Sequence, residues 1–165
     1  MTIKDCNEFY YEKARQAWND WKQMDIPSEL VDKMLASNAN NKLYLYVKGY
    51  LYYNIKDYDN AIEFFKKAIA VDPQYVEAYQ NIGLSYLLKA QDYSTQAPTD
   101  RNDPKYAESQ STLKKFYEEA KVAYEKVRAL KPDQKDLWLQ GLYRVYYNLD
   151  MGPEFEEIEK LMEQK

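Results

Sequence analysis

Neighbouring carboxylates are the first candidates for chemistry: Glu118-Glu119, Glu156-Glu157 and the run Asp57-Tyr58-Asp59. Paired acids can share general acid–base work or hold a divalent cation, provided both reach one point. Residues adjacent on a helix project to different sides, so the two glutamate pairs read as solvated helix faces. The chain has no histidine, which removes the commonest general base and the commonest metal ligand together. Cys6 stands alone, which rules out an intramolecular disulfide and a multi-thiolate metal site. It reads as a small residue near the terminus, buried or half-exposed. No Gly-rich phosphate loop, Ser-centred elbow or metal motif is present. No catalytic residue, metal or cofactor is assigned, and a non-enzymatic chain is expected.

The formal charge of −4 and pI near 5.1 offer no basic field to gather phosphates, so neither nucleic acid nor an anionic membrane is expected as a partner. Lys114, Lys115 and Lys121 cluster, but Glu118 and Glu119 sit among them, giving another solvated face. The start MTIKDC lacks a charged-then-apolar signal segment, and no apolar run approaches the roughly 18 residues a membrane span needs. The expectation is a soluble, cytoplasmic chain. What the sequence does offer for recognition is tyrosine, 18 in 165 residues. Where those side chains point depends on the helices that carry them.

Those helices repeat. Leu45, Gly49 and Tyr52 recur 34 residues later as Tyr79, Gly83 and Tyr86. In the stretch 45–73, Ala61, Phe65 and Pro73 complete a second helix and its stop. Gly49 and Ala61 let two helices approach closely, and Leu45, Tyr52 and Phe65 fill the space around the contact. Pro73 cannot continue a helix. A second unit opens with Tyr79, Ile82, Gly83 and Tyr86, and its second helix arrives late with Ala120, Tyr124 and Pro132. The closing prolines lie 59 residues apart, an insertion of 25 over the 34-residue period. A third unit opens with Trp138, Gly141, Leu142 and Val145, then closes through Gly152 and Pro153 into a helix bearing Phe155, Ile158, Leu161 and Met162.

On these residues the chain resembles the tetratricopeptide repeat family over roughly residues 42–164, with Lys48 standing where an apolar residue is usual. The resemblance implies an all-α fold: antiparallel helix–turn–helix repeats stacked into a right-handed solenoid. Four segments follow. Residues 1–41 form an opening helical pair, either a degenerate repeat or a cap. Residues 42–74 are unit 1, residues 75–133 are unit 2 with the 25-residue insertion, and residues 134–165 are a divergent unit 3 with a capping helix. In the opening pair, residues 4–23 predict a helix with Phe9, Tyr10, Ala14, Ala17, Trp18 and Trp21 on one side, the tryptophans covering the end of the first repeat. Pro27-Ser28 opens a shorter helix with Leu30, Val31, Met34 and Leu35. The insertion predicts a polar loop at 93–103, then one helix near 27 residues from Asp103 and Pro104, the two long helices jutting as a hairpin that either touches a partner or covers a groove. Asp57-Tyr58-Asp59 falls at the turn between the helices of unit 1, not in a metal loop.

Stacked repeats of this kind curve, and the first helix of each unit lines the concave face. Residues one, five and eight places after the leading large residue share that face. They are Tyr46, Tyr50 and Tyr53 in unit 1, Gln80, Leu84 and Leu87 in unit 2, and Leu139, Tyr143 and Tyr146 with Tyr147 alongside in unit 3. Family members that grip a peptide's terminal carboxylate use Lys, Arg and Asn on this surface. Asn81 matches that set, but Tyr46, Tyr50, Asp136 and Gln140 stand where its other members would be, so such a clamp is not expected. An aromatic groove suits an apolar or amphipathic segment of another protein. The alternative is a structural or self-associating segment, with the groove filled from within or by a second copy.

Overall fold

The computed structural model describes residues 28–163, so the predicted helix at 4–23 and Cys6 lie outside the described residues. Within the described residues the chain is helical throughout: α1 (Ser28–Ser37), α2 (Lys42–Asn54), α3 (Tyr58–Val71), α4 (Val76–Ser94), α5 (Tyr106–Leu130), α6 (Leu139–Asn148) and α7 (Gly152–Glu163). A 3-10 turn at Lys135–Leu137 precedes α6. Each helix packs on the next, and α4 also touches α6. The result is a two-layer stack of consecutive helix pairs, an all-α solenoid of the tetratricopeptide kind. The first helices α2, α4 and α6 form one layer and the second helices α3, α5 and α7 the other.

Local chemistry sets the ends. Asn41 caps α2, its side chain accepting from the Leu43 and Tyr44 amides at 3.0 and 3.3 Å. Asp57 caps α3 through the Asn60 amide at 3.2 Å, and so belongs to a turn. α3 stops at Val71, ahead of Asp72-Pro73. Two inter-helix turns share one geometry. Lys56 and Asp150 both take positive φ, and the following amides reach back, Asp57 N to Tyr52 O and Met151 N to Tyr146 O, at 3.0 Å each. In the insertion, Asp103 accepts from the Lys105 amide at 2.7 Å and from the Tyr106 amide at 2.9 Å. Regular helix then begins at Tyr106, two residues beyond Pro104, and α5 runs 25 residues, about 37 Å at ~1.5 Å each.

The pairs lock through glycine against aromatic. A Cβ built on Gly49 would stand 2.8 Å from the Phe65 ring, and one on Gly83 would stand 2.6 Å from the Tyr124 ring. Gly141 presses on the other side of that same ring. Tyr124 is therefore clasped between α4 and α6, which couples units 2 and 3 through one side chain. Lys48 has a reason too. Its ammonium donates to Ser28 Oγ at 2.7 Å, pairs with Asp32 at 2.8 Å and lies over the Tyr52 ring, tying α1 to α2. Val31, the one buried residue of α1, packs against Val47 beside that bond.

Candidate protein-binding face

α2 is apolar around most of its circumference, as a helix covered on several sides must be. Its face toward α4 begins with Tyr46, which is 3% exposed. The Tyr46 ring lies 5.3 Å from Phe65 and 5.1 Å from Tyr75, and Asn81 donates to its hydroxyl at 2.5 Å. Burial, with Tyr75 and Glu77 adding to it, raises this phenol far above the ordinary range. Asn81 is thus engaged inside the stack. Leu87 is 2% exposed and Leu139 is fully buried. Tyr146 is 3% exposed and donates to Glu125 at 3.1 Å; burial and the Glu125 charge raise its phenol as well.

Tyr46, Leu87, Leu139 and Tyr146 are therefore core residues in this fold, not an open lining. In α6, which follows the 3-10 turn, Gly141 rather than Leu142 meets Tyr124. Leu139, Leu142, Val145 and Tyr146 then turn into the core that α5 and α7 complete. Tyr143 and Tyr147 lean on Phe155 of α7, with ring centroids 4.9 and 5.7 Å away. Tyr143 is half-buried there, and Tyr147 is 68% exposed.

The accessible part of the face is narrower than the ten positions suggest. Tyr50 and Tyr53 stack at 5.8 Å on α2, both half-buried, and Tyr53 meets Tyr58 at 6.1 Å. Burial raises the Tyr53 phenol, with Tyr58 and Tyr50 adding to it. Gln80 and Leu84 are half-buried on α4, and Gln80 donates to the Leu137 carbonyl at 3.1 Å, bridging to the segment before α6. Below them a hollow of about 640 Å³ opens at the loop end, lined among others by Lys42, Asp72, Gln74, Glu77 and Gln134. There the Lys42 ammonium and the Gln74 amide hold the Asp72 carboxyl below its usual range.

Tyr117 of α5 and Arg144 of α6 were not singled out from the sequence, and Tyr124 of α5 was read there only as the aromatic of unit 2's second helix. Burial pushes the Tyr124 phenol up to about 12, while the charge of Arg144 works against that and Tyr53 adds to it. Burial also raises Tyr117, again with Arg144 opposing. The signal was present in part. Arg144 lies one turn after Gly141, and Tyr117 two turns before Tyr124, so the contact between Gly141 and Tyr124 brings all four together.

Among the described residues, no group of three or more His, Cys, Asp or Glu side chains could hold a metal ion, and no helix is long and apolar enough to cross a membrane. The arrangement offers shape, aromatic surface and hydrogen bonds, the means of a scaffold for protein–protein interaction.

Comparison with known proteins matches one of the helix pairs to a family. Residues 43–75 match the tetratricopeptide repeat model. No curated protein matches the chain. Among solved structures, a crystal structure of MamA shares 23% identity over 83% of this chain and 87% of that one, with a TM-score of 0.36. A second crystal structure, of MamA protein, shares 19% over 98% of this chain and 90% of that one, with a TM-score of 0.38. Residues 43–75, the α2–α3 pair, thus carry a tetratricopeptide repeat, and two further helix pairs, α4–α5 and α6–α7, follow it.

Proposed function

We propose that the chain binds an apolar or amphipathic segment of another protein along the face formed by α2, α4 and α6. The observation that supports this is the run of half-buried Tyr50, Tyr53 and Leu84, apolar surface left on one side of adjacent first helices. Such surface gains free energy when a partner covers it. Tyrosine hydroxyls along the same run add direction to the contact. No catalysis is assigned to the face.

A second reading, a structural segment whose face is filled from within, draws on the burial of Tyr46, Leu87, Leu139 and Tyr146 by the chain's own packing. The substitutions Leu84→Glu and Tyr53→Ala separate the two. With a partner captured and then purified, titration by calorimetry should show affinity lost in both variants while helical circular dichroism is retained. Undiminished affinity would place binding elsewhere. Concentration-dependent self-association in sedimentation, abolished by Leu84→Glu, would favour the structural reading instead.

A further inference from the structure

We infer that the Arg144 end of this face is a subsite for a side-chain carboxylate, so that the bound segment is amphipathic and carries an Asp or Glu beside its apolar stripe. The inference rests on the binding reading above and adds the partner's charge and orientation to it. Arg144 is exposed, and among the described residues no carboxylate lies within 4.0 Å of it. It stands one turn beyond Gly141, where the Tyr124 ring emerges between α4 and α6, with half-buried Leu84 next to Gly83 on the opposite wall. Tyr117 continues the floor along α5.

A guanidinium presents a planar fork of donors that matches a carboxylate, and a neutral phenol can donate a further hydrogen bond. Tyr117 and Tyr124 are phenols of that neutral form at pH 7, and burial only raises them further. Aromatic and aliphatic walls lower the local dielectric and strengthen the pair relative to an open surface. The far end of the face has the opposite character. Glu77 and Asp136 are exposed there, and the Lys42 ammonium is bound to Asp72 at 2.5 Å. An acidic group is drawn to Arg144 and repelled from the loop end, which fixes which way the segment lies. A clamp for a chain terminus gathers several cations. One guanidinium among phenols suits a single Asp or Glu within a helix.

The test is selection of a phage-displayed library of amphipathic helical peptides on the full chain, on Arg144→Glu and on Leu84→Glu. Peptides recovered on the wild type should favour Asp and Glu over Lys and Arg at one register position, by about tenfold. Arg144→Glu should recover Lys or Arg at that position. A selected acidic peptide should bind Arg144→Gln about tenfold more weakly, with a shallower dependence on salt. Circular dichroism checks that each variant is folded. Peptides that bind the wild type and Arg144→Glu alike, with no charge preference, would overturn the carboxylate subsite and leave the groove reading standing. No peptide recovered above background, or recovery blocked by association of the chain with itself, would overturn both.

Discussion

Tyr124 shows how one residue type at one place can organise two units. Its ring occupies the space that Gly83 and Gly141 leave open, and any Cβ on either glycine falls inside the contact distance of the ring. Substituting alanine in a helix ordinarily gains about 1 kcal/mol over glycine. Here the added methyl must displace a ring wedged from both sides, and overpacking of that kind costs about 1–3 kcal/mol. Gly141→Ala should therefore lower the melting temperature. Gly152→Ala is the control, because a Cβ there meets nothing within 4 Å. It should leave the melting temperature unchanged or raise it. Equal effects from the two substitutions, read by thermal denaturation, would mean that Tyr124 is not clasped as described.

Helix and turn chemistry explain both what could be read from the sequence and what could not. In unit 1 the signature residues Leu45, Ala61 and Phe65 are buried and Gly49 contacts Phe65, because spacing and side-chain size specify a helix pair on their own. In unit 3 the same logic counted from Trp138, which put Leu142 in the small place that Gly141 fills against the Tyr124 ring. A short 3-10 turn at Lys135–Leu137 precedes that helix, and a turn of that kind leaves no periodic trace in the residues. Tyrosine added a second ambiguity. Tyr46 and Tyr146 went to the core, with their hydroxyls satisfied by Asn81 and Glu125, whereas Tyr50 and Tyr53 kept part of their surface. Residue type alone does not separate those fates, because a phenol is at home in either place. The turn between α2 and α3 supplies its own prediction. Lys56 holds φ at 62°, a conformation that strains side chains but not glycine. It is exposed, so Lys56→Gly should stabilise the chain by about 0.5–1 kcal/mol in urea denaturation, with the slope unchanged. A loss of stability would show that the Lys56 side chain makes a contact worth more than the strain.

At the scale of the whole molecule, buried phenols tie stability to pH on the alkaline side. Tyr46 and Tyr146 are raised well beyond the ordinary range and Tyr124 to about 12, each with burial as the largest cause. In the unfolded chain all of them ionise near 10. The folded state thus holds protons that the unfolded state gives up. The stabilising contribution is whole below pH 10 and is lost as pH rises through the folded values. For Tyr124 alone the gap of about two pK units corresponds to about 3 kcal/mol. The three phenols sit at different helix contacts: Tyr46 between α2, α3 and α4, Tyr124 between α4 and α6, and Tyr146 beside α5. Ionisation of any one would place a charge inside a packed helix contact. Ultraviolet absorbance should follow the tyrosine titration alongside helical circular dichroism. A steep rise in tyrosinate above pH 10, from Tyr46, Tyr124 and Tyr146, should coincide with loss of helical circular dichroism. If instead these three phenols ionised near pH 10 with helicity intact, they would have to be open to water, and the packing that joins the repeats would be wrong.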